Sequence, residues 1–375
     1  MIVPLVVASV AVLATLAYAS ILDVRERSVP VRVWYPLYLA GSAAVIWYLF
    51  TSGSGWGTLS GYAALIVTLV YGIELEAEDG KIPAKVLLLA LGATLLQGLA
   101  WGFLWRELGI GAIAGFVLLA VFLWEGLELE RRASLDEKTL SPASRQFLLW
   151  HLPAIVLLQA AGWGALFLSG RGGTGDLVLV LVALYSLLFL LFAVTNLFGF
   201  ADAIALIAIA LFVPRFPFQP ILGYPPLDFL PFSALTNAVI LNLVTPVGIA
   251  VWNAVKGNRA PFPYTFFGFP VRGDTIEHTF GFVMEEFEET ADGLRRKFIP
   301  VGVALHQMVK AKRVYTKDLK RYPEQYKREL ALYRKAGTVW ISYGVPFILP
   351  ILAGFAVALF GGDILFTILT AFAGW

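Results

Sequence analysis

The stretch MIVPLVVASVAVLATLAYASILDVRERSVP, residues 1–30, decides the fold class. Residues 2–22 are almost wholly apolar, long enough to cross about 30 Å of hydrocarbon at about 1.5 Å per residue. Then Asp23, Arg25, Glu26 and Arg27 follow at once, and the Val29-Pro30 pair closes the stretch. The basic residues come after the apolar run, not before it. The segment is therefore expected to be a retained membrane helix, not a cleaved signal peptide, with its N-terminus outside.

The rest of the chain has the same character. Its 375 residues are 59% hydrophobic and 14% charged, with a mean hydropathy of +0.77, far more apolar than a soluble domain of that length. An all-α polytopic membrane protein of about ten spans is expected. There is no cysteine, which excludes disulfides, thiolate metal sites and a cysteine nucleophile. The histidines, His151, His278 and His306, are scattered. No metal, no cofactor and no nucleic-acid partner is expected.

Spans are read near 2–22, 31–50, 58–73, 85–104, 108–127, 147–169, 177–198, 202–214, 232–252 and 337–360. The eighth is short, and the apolar tail after Gly361 reads as an interfacial segment or a half-span. With the N-terminus outside, only Arg106, Arg171 and Arg215 of the 28 basic residues fall in outer loops, a strong positive-inside bias.

An internal echo runs through the middle. GIELEAEDGKIPAK with a later LLQGLAWG resembles GLELERRASLDEKTLSPAS with a later LLQAAGWG. Each unit reads as a helical hairpin with a charged inner turn. Together they form an inserted block at 58–169, dividing a core into 1–57 and 170–252. Residues 253–336 are more polar, running from acidic MEEFEET to basic KAKRVYTKDLKRYPEQYKRELALYRK. They read as a small cytosolic helical region whose basic, Tyr-interleaved face would suit anionic lipid. Residues 337–375 then read as a last span and an apolar tail.

Two acids stand out. Asp23 ends an outside-to-inside span, and Asp202 begins an inside-to-outside span in NLFGFADAIALIAIALFVP. Asp23 also reads as an interfacial acid paired with Arg25 or Arg27, and Asp202 as a helix N-cap. No basic residue lies near Asp202, and Gly199 and Ala201 are small enough for another helix to approach. An ionisable group in a span marks function by default. Two carboxylates at one depth cannot easily both ionise, so they share a proton. Such a pair can activate water, one taking its proton while the other polarises a carbonyl. GGTGD at 172–176 contains a literal Gly-x-Gly-Asp ending in Asp176. Its loop lies outside, about 30 Å of hydrocarbon away from Asp23. Asp79 and Asp136 sit among polar neighbours in inner loops.

With LDVRERSVP, GFADAIALIAIAL, FPF and PFSALTNAVI in these positions, the chain resembles the prepilin peptidases, membrane aspartic proteases of the Gly-x-Gly-Asp type. It is most similar to the archaeal prepilin and preflagellin peptidases. The resemblance covers about 1–50 and 177–255, less certainly 253–336, and not 58–169. Ala201 stands where the strict motif has glycine. The resemblance implies that Asp23 and Asp202 are the catalytic pair, with Gly199 and Ala201 as the flanking small residues.

It further implies a multi-pass cell-membrane endopeptidase with its site facing the cytoplasm. Such an enzyme removes class III signal peptides, short basic leaders followed by an apolar helix, from archaeal pilin-like or archaellin precursors. Besides these precursors, its partner is the lipid bilayer. Glu285, Glu286, Glu288 and Glu289 read more simply as a charged surface helix than as a leader-binding site. The alternative is a proton- or cation-coupled transporter using the same aspartates. Neither acid lies near a midplane, however, and the repeated hairpins carry no acid deep in a span.

Overall fold

A computed structural model gives the fold. It describes residues 2–74, 85–109, 142–170, 173–194, 198–290, 293–309, 314–343 and 347–373, with a few further positions between 113 and 128. Most of the expected span at 108–127, and both Asp79 and Asp136, lie outside the described residues.

The chain is mostly helical. The helices are α1 (Ile2–Glu26), α2 (Tyr35–Thr51), α3 (Trp56–Glu74), α4 (Lys85–Leu108), α5 (Pro142–Leu168), α6 (Thr174–Val194), α7 (Phe200–Phe212), α8 (Leu230–Asn242) and α9 (Val244–Lys256). Among the described residues, seven helices are long and apolar enough to cross a membrane, or eight if one bent pair counts as a single span. The expectation of about ten is therefore not supported. The segment read as a span at 202–214 is α7, only 13 residues, or about 20 Å of rise.

Helix α1 buries Leu5, Ala8, Ser9, Val12, Leu16, Ala19 and Ser20. These recur every three or four residues, one stripe of a 3.6-residue helix. Asp23 falls on the continuation of that stripe, so it faces the bundle. Helix α7 is buried on every side from Ala203 to Phe212, as an all-apolar helix requires, and packs between α1, α2, α6 and α8. Small residues let the backbones close in. A Cβ on Gly41 of α2 would lie 2.5 Å from the Phe212 ring.

The two echoed units bury equivalent residues. Gln97 and Trp101 of α4, and Gln159 and Trp163 of α5, are all within 5% of full burial. Gln159 donates to the Gly61 carbonyl at 2.5 Å. His151 is a core residue, 2.8 Å from the Tyr71 hydroxyl and 3.2 Å from that of Thr94. It ties α3, α4 and α5 together.

The region read as helical, 253–336, is corrected. It contains β1 (Gly268–Arg272), β2 (Gly281–Val283), β3 (Glu285–Thr290) and β4 (Gly293–Phe298), then α10 (Val301–Val309), α11 (Thr316–Arg321) and α12 (Lys327–Ala336). The sequence read as the start of the last span is β5 (Thr338–Tyr343). An antiparallel sheet runs β1-β5-β2, and β3 pairs with β4 as a hairpin. Ile276, Val283, Leu319, Val339 and Ile341 close a separate small core. The acidic run is thus a strand, not a surface helix. In EEFEET the side chains alternate across the strand, the period-2 pattern of a sheet. Glu286 sits opposite Lys297 and Glu288 opposite Arg295 on β4.

After β5 come α13 (Ile348–Phe360) and α14 (Ile364–Ala373), bent by 61° at the break between them. The break is clamped by α8. Asn237 donates to the Gly362 carbonyl at 2.9 Å and accepts from the Ile364 N–H at 3.0 Å. Ser233 donates to the buried Asp363 carboxylate at 2.7 Å, which caps the Phe366 N–H.

Candidate active site

Helix α1 ends and α7 begins at the same end of the bundle, and Asp23 and Asp202 are close enough there to act on each other's charge. Both are partly buried. The Asp23 Oδ2 atom is buried without a hydrogen-bond partner among the described residues.

Asp202 is not the N-cap of α7. Gly199 is the cap, in an extended conformation, and Asp202 is the third helical residue. Its carboxylate folds back over the cap. A Cβ on Gly199 would lie 2.4 Å from Asp202 Oδ2 and 3.3 Å from its Cγ. Gly199 therefore makes room for the carboxylate itself, rather than for another helix as the sequence reading expected. Ala201 packs on the main core.

Sequence reasoning missed a third wall. The Asp23 carboxylate receives the backbone N–H of Ile348, the first residue of α13. A helix N-terminus carries partial positive charge, so α13 presents a fixed donor to this acid. Phe347, just before it, meets the Phe198 ring edge-on at 5.4 Å, and Phe198 lies one residue before Gly199. The start of α13 is thus braced against the loop leading to Asp202. The signal was the apolar FILPILAGFAVALF, legible as a helix but not as part of the site.

At the C-terminal end of α1, Arg27 takes a left-handed backbone with φ of 52°, and its N–H bonds the Asp23 carbonyl at 3.1 Å. Its guanidinium lies over the Phe280 ring, 5.8 Å from the centroid. Its charge also acts on Asp23.

Asp176 lies elsewhere. It sits in the first turn of α6, whose 21 residues run about 30 Å toward the end that holds Asp23 and Asp202. It accepts from Thr58 at 2.8 Å and from the Gly173 N–H at 2.7 Å. It lines a cavity of about 420 Å³ with Ser52, Tyr62 and Arg215. The literal Gly-x-Gly-Asp is therefore remote from Asp23 and Asp202.

Residues 260–364 match the family model described as Archaeal Peptidase A24 C-terminus Type II. Comparison with curated proteins and with solved structures gives no match. The matched segment runs from β1 into α14 and includes the N–H that meets Asp23. The motifs around Asp23 and Asp202 lie outside it, so two separate parts of the chain point the same way. The match over residues 260–364 supports a member of the archaeal prepilin and preflagellin peptidase family.

Proposed function

We propose that the chain is a membrane aspartic endopeptidase that removes class III signal peptides from archaeal pilin-like or archaellin precursors, with Asp23 and Asp202 as its catalytic pair. The observation that carries the reading is the packing of α1 against α7, with two acids far apart in sequence within electrostatic reach at one end of the bundle. Peptide hydrolysis by a carboxylate pair needs one ionised and one protonated member. The ionised one takes a proton from water while the acid donates toward the scissile carbonyl oxygen. The proton then passes to the leaving amine as the tetrahedral intermediate collapses. The unpartnered Asp23 Oδ2 suits a group that must hold a water, and the α13 N-terminus fixes the other side of that carboxylate. No cysteine or serine nucleophile is required.

The substrate chemistry follows from depth. With the N-terminus of α1 outside, the dyad sits at the cytoplasmic boundary of the membrane. A precursor with a polar basic leader and an apolar helix places its junction at the same boundary. Glu286 and Glu288 lie opposite Lys297 and Arg295 across the hairpin, and Glu285 and Glu289 pair with Arg296 and Lys335, so the acids of β3 do not form a free acidic surface for the leader. Co-expression with a class III precursor tests the reading: a shortened product is expected, and it is expected to vanish with Asp23→Asn or Asp202→Asn. A precursor of unchanged length in the presence of the wild-type protein contradicts it.

A further inference from the structure

The matched segment brings more to this site than the start of α13. Strand β2 and the residues just before α11 lie against each other. The Val283 N–H bonds the Val314 carbonyl at 3.0 Å, and the Gly281 N–H bonds Thr316 Oγ1 at 3.0 Å. Phe282 and Tyr315 form a bridge in register, with their rings 4.8 Å apart. The Phe282 N–H also reaches Ser342 Oγ on β5 at 3.3 Å. Tyr315 is therefore held by its backbone, its ring stacking and its neighbour Thr316. Phe280, just before β2 and two residues from the Phe282 ring that Tyr315 meets, carries the Arg27 guanidinium at 5.8 Å. Tyr315 itself lies within electrostatic reach of Arg27 and Asp23.

We propose that Tyr315 and Phe280 are positioning residues of the dyad, carried onto the end of α1 by the sheet domain. This rests on Asp23 and Asp202 being the catalytic pair. Arg27 lies one turn beyond Asp23, where a flexible cation would be drawn onto the carboxylate and neutralise it. The face of the Phe280 ring gives the guanidinium a separate hold. Tyr315 carries a neutral hydroxyl within electrostatic reach of both charges. Burial raises its phenol above the usual value. Arg27 opposes that shift, while the carboxylates of Asp318 and Asp23 push with it. The phenol therefore stays protonated and able to donate at neutral pH. The sheet domain on this account sets how Asp23 and Arg27 share their charge.

The test uses the full-length chain in liposomes, with two readouts. In the first, fluorotyrosine at position 315 is titrated by fluorine NMR. Removing the Asp23 charge with Asp23→Asn is expected to move that titration to lower pH, because the carboxylate opposes formation of the phenolate. An unmoved titration overturns the proposal whether or not the protein cleaves anything. In the second, cleavage of a class III precursor is followed. Tyr315→Phe is expected to lower kcat about tenfold with KM little changed, within the range of one positioned proton-transfer or hydrogen-bonding group, and to shift the pH profile. Phe280→Leu is expected to do the same, and Phe280→Trp to restore the rate. Wild-type kcat and pH profile in both Tyr315→Phe and Phe280→Leu overturn the proposal while leaving the peptidase reading intact. If the wild type is inactive but the Tyr315 titration responds to Asp23→Asn, the peptidase reading fails and the contact stands.

Discussion

Gly199 shows how narrow the tolerances are at a single residue. With a Cβ at that position, the Asp202 carboxylate must swing away from the α7 cap. The colliding atom is the end of a flexible side chain, so the fold survives and the cost falls on the chemistry. Gly199→Ala is expected to leave the thermal midpoint within experimental error. It is also expected to lower cleavage by about 10²-fold, the effect of a misplacement near 1 Å. Equal activity in wild type and variant would show that the carboxylate is not used in this pose. Asp23 and Asp202, the proposed pair, stood out in the sequence because charge is scarce in apolar segments. The role of Gly199 was not, because a small residue beside an acid looks the same whether it admits a helix or its own neighbour's carboxylate. Tyr315, Phe280 and Ile348 were not legible either: the site meets them through tertiary contacts that leave no mark on local spacing.

At the scale of elements, the helices of the first half followed from apolar length and from the buried stripe of α1. The strands did not. The region 253–336 is rich in both charges, and composition alone hid the alternation of EEFEET and GLRRKF. One consequence can be measured. Glu285 of β3 is 3% exposed and pairs with Arg296 at 3.0 Å, and it also accepts the Trp340 N–H of β5 at 2.8 Å. It stitches the hairpin to the sheet. Glu285→Ala strands a donor and a cation, and is expected to cost about 2–3 kcal/mol, below the figure for a fully buried pair because Arg296 is a third exposed. Glu286→Ala, exposed on the same strand, is expected to cost far less. Denaturation of both variants, followed by Trp340 fluorescence, checks this, and equal losses would contradict it. The bend between α13 and α14 makes a second case. Asn237 supplies both a donor and an acceptor to the break, so Asn237→Leu is expected to destabilise the chain by about 2 kcal/mol, as two orphaned backbone groups require. An unchanged melting profile in micelles would show that the break stands without the clamp.

For the whole molecule, the account joins two halves that the sequence reading kept apart. The core spans supply the acids, and the C-terminal segment supplies the helix start, the aromatic side chains and the domain that holds them. The orientation proposed from the distribution of basic residues is testable because the sequence has no cysteine. Single cysteines at Ser54, beside the Asp176 cavity, and at Asn258, beyond the end of α9, report on opposite sides. A membrane-impermeant thiol reagent is expected to label Ser54→Cys in intact cells and Asn258→Cys only after permeabilisation. The reverse pattern would invert the topology and put the dyad outside. The central claim is tested most directly by one comparison: cleavage of a class III precursor by wild type, Asp23→Asn, Asp202→Asn and Asp176→Asn at matched protein levels. The account predicts that the first two variants lose cleavage by about 10²–10⁴-fold or more, while Asp176→Asn cleaves as wild type does. Cleavage that survives Asp202→Asn, or is lost with Asp176→Asn alone, would contradict it.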